Sequence, residues 1–75
     1  RISYDLSEAG EVSLIVYDIL GRNIATLVNE FKTPGRYNVL WNGNDILGNP
    51  VGSGVYLYQL RSNSFTKTKK MVISR

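Results

Sequence analysis

Carboxylates are the first candidates for chemistry in this chain, because its 75 residues include neither histidine nor cysteine. The commonest general base, the commonest zinc ligand and every thiolate nucleophile are thereby excluded. Two carboxylates could still act together as general acid and general base. The acidic residues are Asp5, Glu8, Glu11, Asp18, Glu30 and Asp45. Most of them fall at predicted turns or strand ends, and no spacing singles out a pair, so we expect no enzyme activity.

Calcium binding is a second possibility, at the stretch NGNDILGN (42–49). This stretch is rich in the amide, carboxylate and carbonyl oxygens that calcium accepts, but it lacks the spaced carboxylates and closing glutamate of an EF-hand loop. Asn and Asp also favour turns without a metal. We therefore expect no metal and no other cofactor, and calcium at this loop stays an open alternative.

The aromatic residues Tyr37, Trp41, Tyr56 and Tyr58 could form a platform on which a sugar stacks. In a small domain, alternating aromatic residues more often form the core, since each buries about 150–250 Å². We therefore expect a buried set, which comprises Leu14, Tyr37, Val39, Trp41, and Val55 with Leu57 or its neighbours. Whether Val55 and Leu57 or the alternating set Tyr56, Tyr58 and Leu60 faces inward is left open by the sequence.

Charge is unevenly distributed along the chain. Residues 1–45 carry four basic and six acidic groups, whereas residues 46–75 carry five basic groups and no acidic one. These lysines and arginines could protect an edge strand from pairing with another sheet, or form a recognition surface for an acidic partner or an anionic glycolipid. Nucleic acid is not expected as a partner, because the charges are few and no Gly-aromatic motif accompanies them. No apolar run approaches the length of a membrane span.

Alternating apolar and polar residues predict short strands separated by turns. The predicted strands cover residues 2–6, 11–17, 23–31, 36–41, 55–60 and 65–74. Residues 23–31 could also form a helix, but the β-branched Ile24, Thr26 and Val28 on one face favour a strand. Six or seven short strands at roughly ten-residue spacing predict an antiparallel sandwich or small barrel. At this length the chain forms a single domain, residues 1–75.

The tetrapeptide DILG occurs twice, at residues 18–21 and 45–48. Asp at the first position of a turn bonds the backbone two residues on, and Gly at the fourth supplies a positive φ. The flanking residues do not match at the same offset, which argues against an internal repeat. We interpret the two copies as the same type of turn, formed independently at two places in the chain. Turn chemistry does not explain why both turns carry an exposed Ile and Leu.

Four segments together resemble one known pattern: LIVYDILGRNIATLVN (14–29), PGRYNVLWNGND (34–45), GNPVGSGVYLYQLRS (48–62) and TKKMVISR (68–75). This pattern resembles the type A C-terminal sorting domain of the bacterial type IX secretion system. It also resembles the overlapping Ig-like domain family named after the flagellar hook-capping protein. Members usually open with an Asn-Pro-Phe-rich segment that this sequence lacks, so we expect it to be a module excised from a larger secreted protein.

The resemblance implies a small antiparallel Ig-like (Greek-key) β-sandwich that serves as a delivery signal and not as an enzyme. The outer-membrane translocon would recognise it after passage through the periplasm, and a sortase-like peptidase could remove it. The cargo, an upstream domain of the same chain, would then be secreted or attached to the cell surface. Recognition by the translocon would concentrate on Gly54, Val55, Tyr56, Lys69, Lys70, Met71, Val72, Ile73 and Arg75.

Two other functions remain alternatives. The first is the hook-cap-type role of a structural spacer or interaction module, which fits the long connection WNGNDILGNPVGSGVY (41–56) equally well. The second is a carbohydrate-binding module of a secreted glycoside hydrolase, which would display exposed, coplanar aromatic rings.

Overall fold

The chain folds into six antiparallel strands, which form two sheets. The structure is a computed structural model that describes residues 1–63 and 65–74. The strands are β1 (Ile2–Leu6), β2 (Gly10–Asp18), β3 (Asn23–Lys32), β4 (Gly35–Val39), β5 (Gly54–Arg61) and β6 (Thr66–Ile73). One sheet has four strands in the order β3-β2-β5-β6, and the other pairs β1 with β4. The predicted all-β sandwich is thereby confirmed.

Two hairpins make up the larger sheet. The pairs β2–β3 and β5–β6 are each joined by a short connection, and β2 pairs with β5 to unite them. The remaining connections cross between the sheets. This arrangement is compatible with an Ig-type sandwich, in which strands C′, C, F and G lie in one sheet and strands B and E in the other.

Alternation in β2 builds the centre of the core. Val12, Leu14 and Val16 are almost fully inaccessible to solvent, as expected for one face of a strand that has a neighbour on both edges. The smaller sheet covers this face with alternate residues of β1, namely Ile2, Tyr4 and Leu6, which are also buried. The two sheets thus share a single apolar core.

The register decides which face of β5 is inside. Leu14 lies opposite Leu60, and Val16 lies opposite Tyr58. Because directly paired residues point to the same side of a sheet, the set Tyr56, Tyr58 and Leu60 faces inward. The expectation that Val55 is buried is therefore wrong: it lies on the outer face and is 39% exposed.

Aromatic rings extend the core towards β3 and β4. Tyr4 stacks on Tyr37 with ring centroids 5.3 Å apart, and the Lys32 ammonium lies 5.1 Å from the Tyr37 ring centroid. The Tyr37 hydroxyl donates a hydrogen bond to the Thr33 carbonyl oxygen, 2.5 Å away. The buried Tyr4 hydroxyl has no hydrogen-bond partner among the described residues. Tyr37, Val39 and Trp41 are half-buried, so their predicted burial is only partial.

Candidate recognition surface

The two DILG segments form the same turn. In the first, the Gly21 N–H donates to the Asp18 carbonyl oxygen at 3.0 Å, and in the second Gly48 N–H donates to the Asp45 carbonyl oxygen, also at 3.0 Å. Gly21 and Gly48 have φ angles of 85° and 86°, a conformation that glycine adopts without steric cost. The interpretation that both DILG segments form the same type of turn is confirmed.

The aspartate side chain of each turn accepts hydrogen bonds from backbone N–H groups of the same turn. Asp18 Oδ1 accepts hydrogen bonds from the N–H groups of Leu20 and Arg22, at 2.9 and 3.0 Å. Asp45 Oδ1 accepts the equivalent pair from Leu47 and Asn49, at 3.0 and 2.9 Å. These bonds fix both turns as rigid projections.

Arg22 distinguishes the first turn electrostatically. Its Nε lies 2.6 Å from Asp18 Oδ2. The hydrogen bond from the Arg22 backbone N–H, together with the guanidinium contact, lowers the pKa of the Asp18 carboxyl below its ordinary value. Asp18 therefore stays ionised in mildly acidic solution.

Both turns project from the same end of the sandwich. The first turn connects β2 to β3, and the Ile46 N–H of the second donates to the Ile24 carbonyl oxygen near the start of β3, at 2.9 Å. The turn tips are apolar and open to solvent: Ile19 is 71% exposed, Leu20 75%, Ile46 65% and Leu47 84%. Polar residues would satisfy the turn geometry equally well, so these side chains point to a role outside the fold.

The start of β5 and the end of β6 lie at this same end. Asp18 is opposite Tyr56, which places the β2–β3 turn next to the first residues of β5. Ile19, Leu20 and Val55 line a common shallow depression there. Val55 in turn lies opposite Val72, which is 69% exposed on the same outer face.

We call this surface the apolar end. It comprises Ile19, Leu20, Ile46, Leu47, Val55 and Val72. Another exposed large apolar residue, Phe31, lies opposite Glu11 near the start of β2, at the other end of the sandwich. A concentration of exposed apolar side chains at one end is typical of a surface that contacts another macromolecule.

Most of the predicted recognition residues lie together at or beside the apolar end. The register places Gly54 opposite Ile73, Val55 opposite Val72 and Tyr56 opposite Met71. The residues from the two predicted stretches are therefore cross-strand neighbours at the edge of the larger sheet. Arg75 lies outside the described residues.

The two predicted lysines do not share a face. Lys69 is opposite Tyr58, on the inner face of the sheet, whereas Lys70 is opposite Leu57, on the outer face. Only Lys70 therefore lies on the face that carries Val55 and Val72. A single partner that contacts this outer face would reach Lys70 and not Lys69.

The aromatic side chains near this end do not form a flat platform. Trp41 and Tyr56 pack edge to face, with ring centroids 5.8 Å apart and an angle of 67° between their planes. The Trp41 indole N–H donates to the Asn44 carbonyl oxygen at 2.9 Å, and the Tyr56 hydroxyl donates to the Gly52 carbonyl oxygen at 2.8 Å. Both rings thus brace the long connection before β5.

The geometry offers little for metal chemistry. Among residues 1–63 and 65–74, there is no cluster of three or more acidic side chains that could hold a metal ion. In the loop considered for calcium, Asp45 Oδ1 is already bonded to two backbone N–H groups. The described residues also include no helix long and apolar enough to cross a membrane.

Comparison with known proteins found no matching family model, no matching curated protein and no matching solved structure. The resemblance predicts a role for the β5 and β6 residues, but the sequence did not place the DILG turns beside them. The apolar tips of both turns, which turn chemistry leaves unexplained, were the available indication.

Proposed function

We propose that this domain is a non-catalytic sorting signal, recognised by the outer-membrane translocon of a type IX secretion system and carried by a secreted cargo protein. The observation that carries the proposal is the apolar end. There, the exposed tips of the first turn line a depression with Val55, and Val55 lies opposite Val72. These two valines belong to the two strands that the family resemblance implicates in recognition. Exposed apolar patches of this kind mark contact surfaces for other proteins.

The composition of the surface favours recognition of a folded domain. The aspartate hydrogen bonds hold the backbone of both turns in one conformation, so little backbone entropy is lost on binding. Lys70 adds a positive charge on the same outer face, which would steer the domain towards an acidic partner. In this proposal the domain reaches the medium or the cell surface through the periplasm, and sortase-like components act on it after export.

A structural spacer of the hook-cap type is the second candidate. The long connection between β4 and β5, braced by Trp41 and Tyr56, supports it, because such a loop could pack against a neighbouring domain. The edge-to-face packing of those two rings, at 67°, counts against the carbohydrate-binding alternative, which requires coplanar exposed rings.

A secretion assay tests the proposal. A fluorescent reporter directed to the periplasm would carry residues 1–75 at its C-terminus in a bacterium with a working type IX system. We expect the fusion to reach the medium or the cell surface, and a copy truncated after Asn63 to remain in the periplasm. If the full fusion also remains there while its domain is folded, export fails as an explanation and the spacer becomes the better account.

Surface variants locate the recognition site. The double change Ile19→Ser and Leu20→Ser should block export, because it removes both apolar tips of the first turn. Phe31→Ser is the matched control, since Phe31 is an apolar side chain 61% exposed at the opposite end. If the double variant is exported as well as the control, the apolar end is not the recognition site, although the domain can still be a sorting signal.

A further inference from the structure

The apolar end forms a row of side chains across the narrow end of the sandwich. The molecule measures 36 × 20 × 18 Å along its principal axes, and the strands, which rise about 3.3 Å per residue, define the long axis. Across the order β3-β2-β5-β6, the second DILG turn is bonded to the start of β3, and the first turn closes β2. Val55 and Val72 follow on β5 and β6. Exposed aliphatic side chains therefore extend across all four strands.

The backbone N–H groups at the turn tips do not depend on water for hydrogen bonds. Within residues 45–49, every backbone N–H donates to an oxygen of the protein, at 2.8–3.0 Å. In the first turn the N–H groups of Leu20, Gly21 and Arg22 do the same, at 2.9–3.0 Å. An unsatisfied N–H group is costly in an apolar medium, so these tips can leave water without that cost.

The composition and size of this end favour contact with lipid. All the side chains of the apolar end are aliphatic, whereas Trp, Tyr and Arg dominate the energetics of protein interfaces and Leu and Val are under-represented there. An end of 20 × 18 Å offers roughly half of the 800 Å² that each partner contributes to a standard protein interface. Aliphatic side chains on projecting turns instead gain free energy from every methylene group that enters a bilayer.

The charges near the apolar end favour an anionic surface. Asp18 and Arg22 form an ion pair, and the Arg22 side chain remains 73% exposed. Lys69 and Lys70 add two positive charges beside this end, against the negative charge of Asp45. Of the other four acidic side chains, two are ion-paired, and two lie just before or within the first residues of β2, at the opposite end. The apolar end is therefore surrounded by a net positive charge.

We propose that the apolar end inserts into the surface of an anionic phospholipid bilayer. The aliphatic tips of both DILG turns enter the outer hydrocarbon, and Arg22 and Lys70 lie at the level of the phosphates. Surface insertion of this kind reaches about 5–10 Å into the boundary between headgroups and acyl chains. The sandwich then stands on its narrow end, with its strands running away from the membrane.

This inference concerns the same end of the molecule as the sorting proposal but does not rest on it. Bilayer contact would hold the domain at the membrane that contains an outer-membrane translocon. The two contacts would be successive, with the translocon displacing the lipid. Because lipid binding needs only the purified domain, it can be tested without any secretion machinery.

Vesicle flotation with the purified domain tests the proposal. The probe vesicles contain phosphatidylethanolamine and phosphatidylglycerol, and the control vesicles contain phosphatidylcholine alone. We expect the domain to float with the anionic vesicles and to bind the neutral ones about tenfold more weakly, because basic side chains lie at the level of the headgroups. Absence from the anionic vesicles, or equal binding to both kinds, would overturn the proposal. A failed secretion assay would leave this result unchanged.

The second DILG turn supplies the main variant, since the sorting test does not alter it. The double change Ile46→Ser and Leu47→Ser should weaken binding to the anionic vesicles at least tenfold, because two aliphatic side chains no longer enter the bilayer. Phe31→Ser, at the opposite end, is the matched control and should change binding less than about twofold. NMR spectra verify that each variant is folded. Equal effects of the two changes would overturn the proposal, and lost export of the double variant without any vesicle binding would assign this turn to a protein partner instead.

A charge substitution tests the orientation on the bilayer. Lys70→Gln should weaken binding to the anionic vesicles about fivefold. Lys67→Gln is the control, because Lys67 is three residues further from the apolar end on the same strand, about 10 Å, which is close to the screening length in physiological salt. A larger loss from Lys67→Gln than from Lys70→Gln would refute the end-on orientation.

Spin-labelled lipid measures which side chains enter the bilayer. In bicelles of the same anionic composition, a nitroxide on the acyl chain should broaden the methyl resonances of Ile19, Leu20, Ile46 and Leu47. The ring resonances of Phe31, at the other end of the sandwich, should stay sharp. Broadening spread evenly over the surface of the domain would indicate adsorption without insertion and would overturn the proposal.

Discussion

Replacing Tyr4 by phenylalanine should stabilise this domain, because the hydroxyl that it removes is buried without a hydrogen-bond partner. Tyr4 is 7% exposed, and no described residue bonds its hydroxyl. An unpaired buried hydroxyl costs about 1–3 kcal/mol. Removing one oxygen also forfeits a few dispersion contacts of about 0.1–0.2 kcal/mol each. We therefore expect Tyr4→Phe to raise the free energy of unfolding by about 1 kcal/mol.

The stacked partner of Tyr4 supplies the control. The Tyr37 hydroxyl is hydrogen-bonded to Thr33, so Tyr37→Phe loses an interaction and should lower the free energy of unfolding by about 0.5–1 kcal/mol. The two substitutions remove the same atom from rings whose centroids are 5.3 Å apart. Opposite signs would therefore isolate the effect of hydrogen bonding from that of packing.

Urea and thermal unfolding measure the difference. A change of 1 kcal/mol shifts the melting temperature of a domain this size by about 4–8 °C, and the urea m-value should be unchanged. If Tyr4→Phe lowers the free energy of unfolding by as much as Tyr37→Phe does, the Tyr4 hydroxyl has a bonding partner and the reasoning is refuted.

Alkaline pH offers a second measurement on Tyr4. Burial raises the pKa of its hydroxyl above the ordinary value of 10.0, and the Lys32 charge only partly offsets this. The folded state therefore binds the proton more tightly than the unfolded state. This contribution to stability is fully present below pH 10.0 and is lost as the pH rises through the folded-state pKa. Tyr4→Phe should make the alkaline fall in stability shallower, and an unchanged fall would contradict the assignment.

Three further substitutions test the core and the first turn. Leu14→Ala should lower the free energy of unfolding, measured by urea denaturation, by about 2–5 kcal/mol, because Leu14 is fully buried. A loss below about 1 kcal/mol would show that the core collapses around the site. The lowered pKa of Asp18 stabilises the fold above pH 3.8, and this stability is lost as the pH falls through the folded-state pKa. Asp18→Asn should therefore make the free energy of unfolding fall less steeply as the solution is acidified. An acid profile like that of the parent would count against the Arg22 contacts. Gly21→Ala, at a φ of 85°, should cost about 1 kcal/mol by thermal unfolding, while no loss would mean that the turn relaxes.

The strands were predictable because their side-chain alternation reflects burial on one face. β2 shows this best: Val12, Leu14 and Val16 are apolar at every second position, and the smaller sheet covers that face. Residues 23–31 allowed a helix, but β-branched side chains favoured the strand that forms there. Local chemistry also predicted both DILG turns, since Asp and Gly act within four residues of each other.

The orientation of β5 could not be predicted from its own residues. Both alternating sets of side chains are apolar: one is Val55 with Leu57, and the other is Tyr56 with Tyr58 and Leu60. The alternation therefore does not indicate which set faces the core. The choice comes from pairing with β2, where Leu60 lies opposite Leu14. This long-range contact is absent from any local pattern.

The candidate recognition surface shows the same limit. Exposed Ile and Leu at the two turns were recognisable as unexplained, but their common location required the hydrogen bond from Ile46 to Ile24. The side of the sheet that each β6 lysine faces was also out of reach, because a basic edge strand has the same composition whether its lysines face inward or outward. Only the register of Lys67 against Leu60 distinguishes the two cases.

The pairing of β1 with β4 has a consequence for the order of folding. The hairpins β2–β3 and β5–β6 join neighbouring segments and can close within microseconds, whereas residues 2–6 must wait for residues 35–39. Contacts so distant in sequence form late because loop closure opposes them. β1 contributes Ile2, Tyr4 and Leu6 to the core. β2 and β5 pair over longer separations still, Ser13 with Arg61 and Asp18 with Tyr56, so the core between the two sheets is complete only after β5 has joined β2. Within this stretch, the residues that leave the ribosome first must therefore wait for its later half before they are buried.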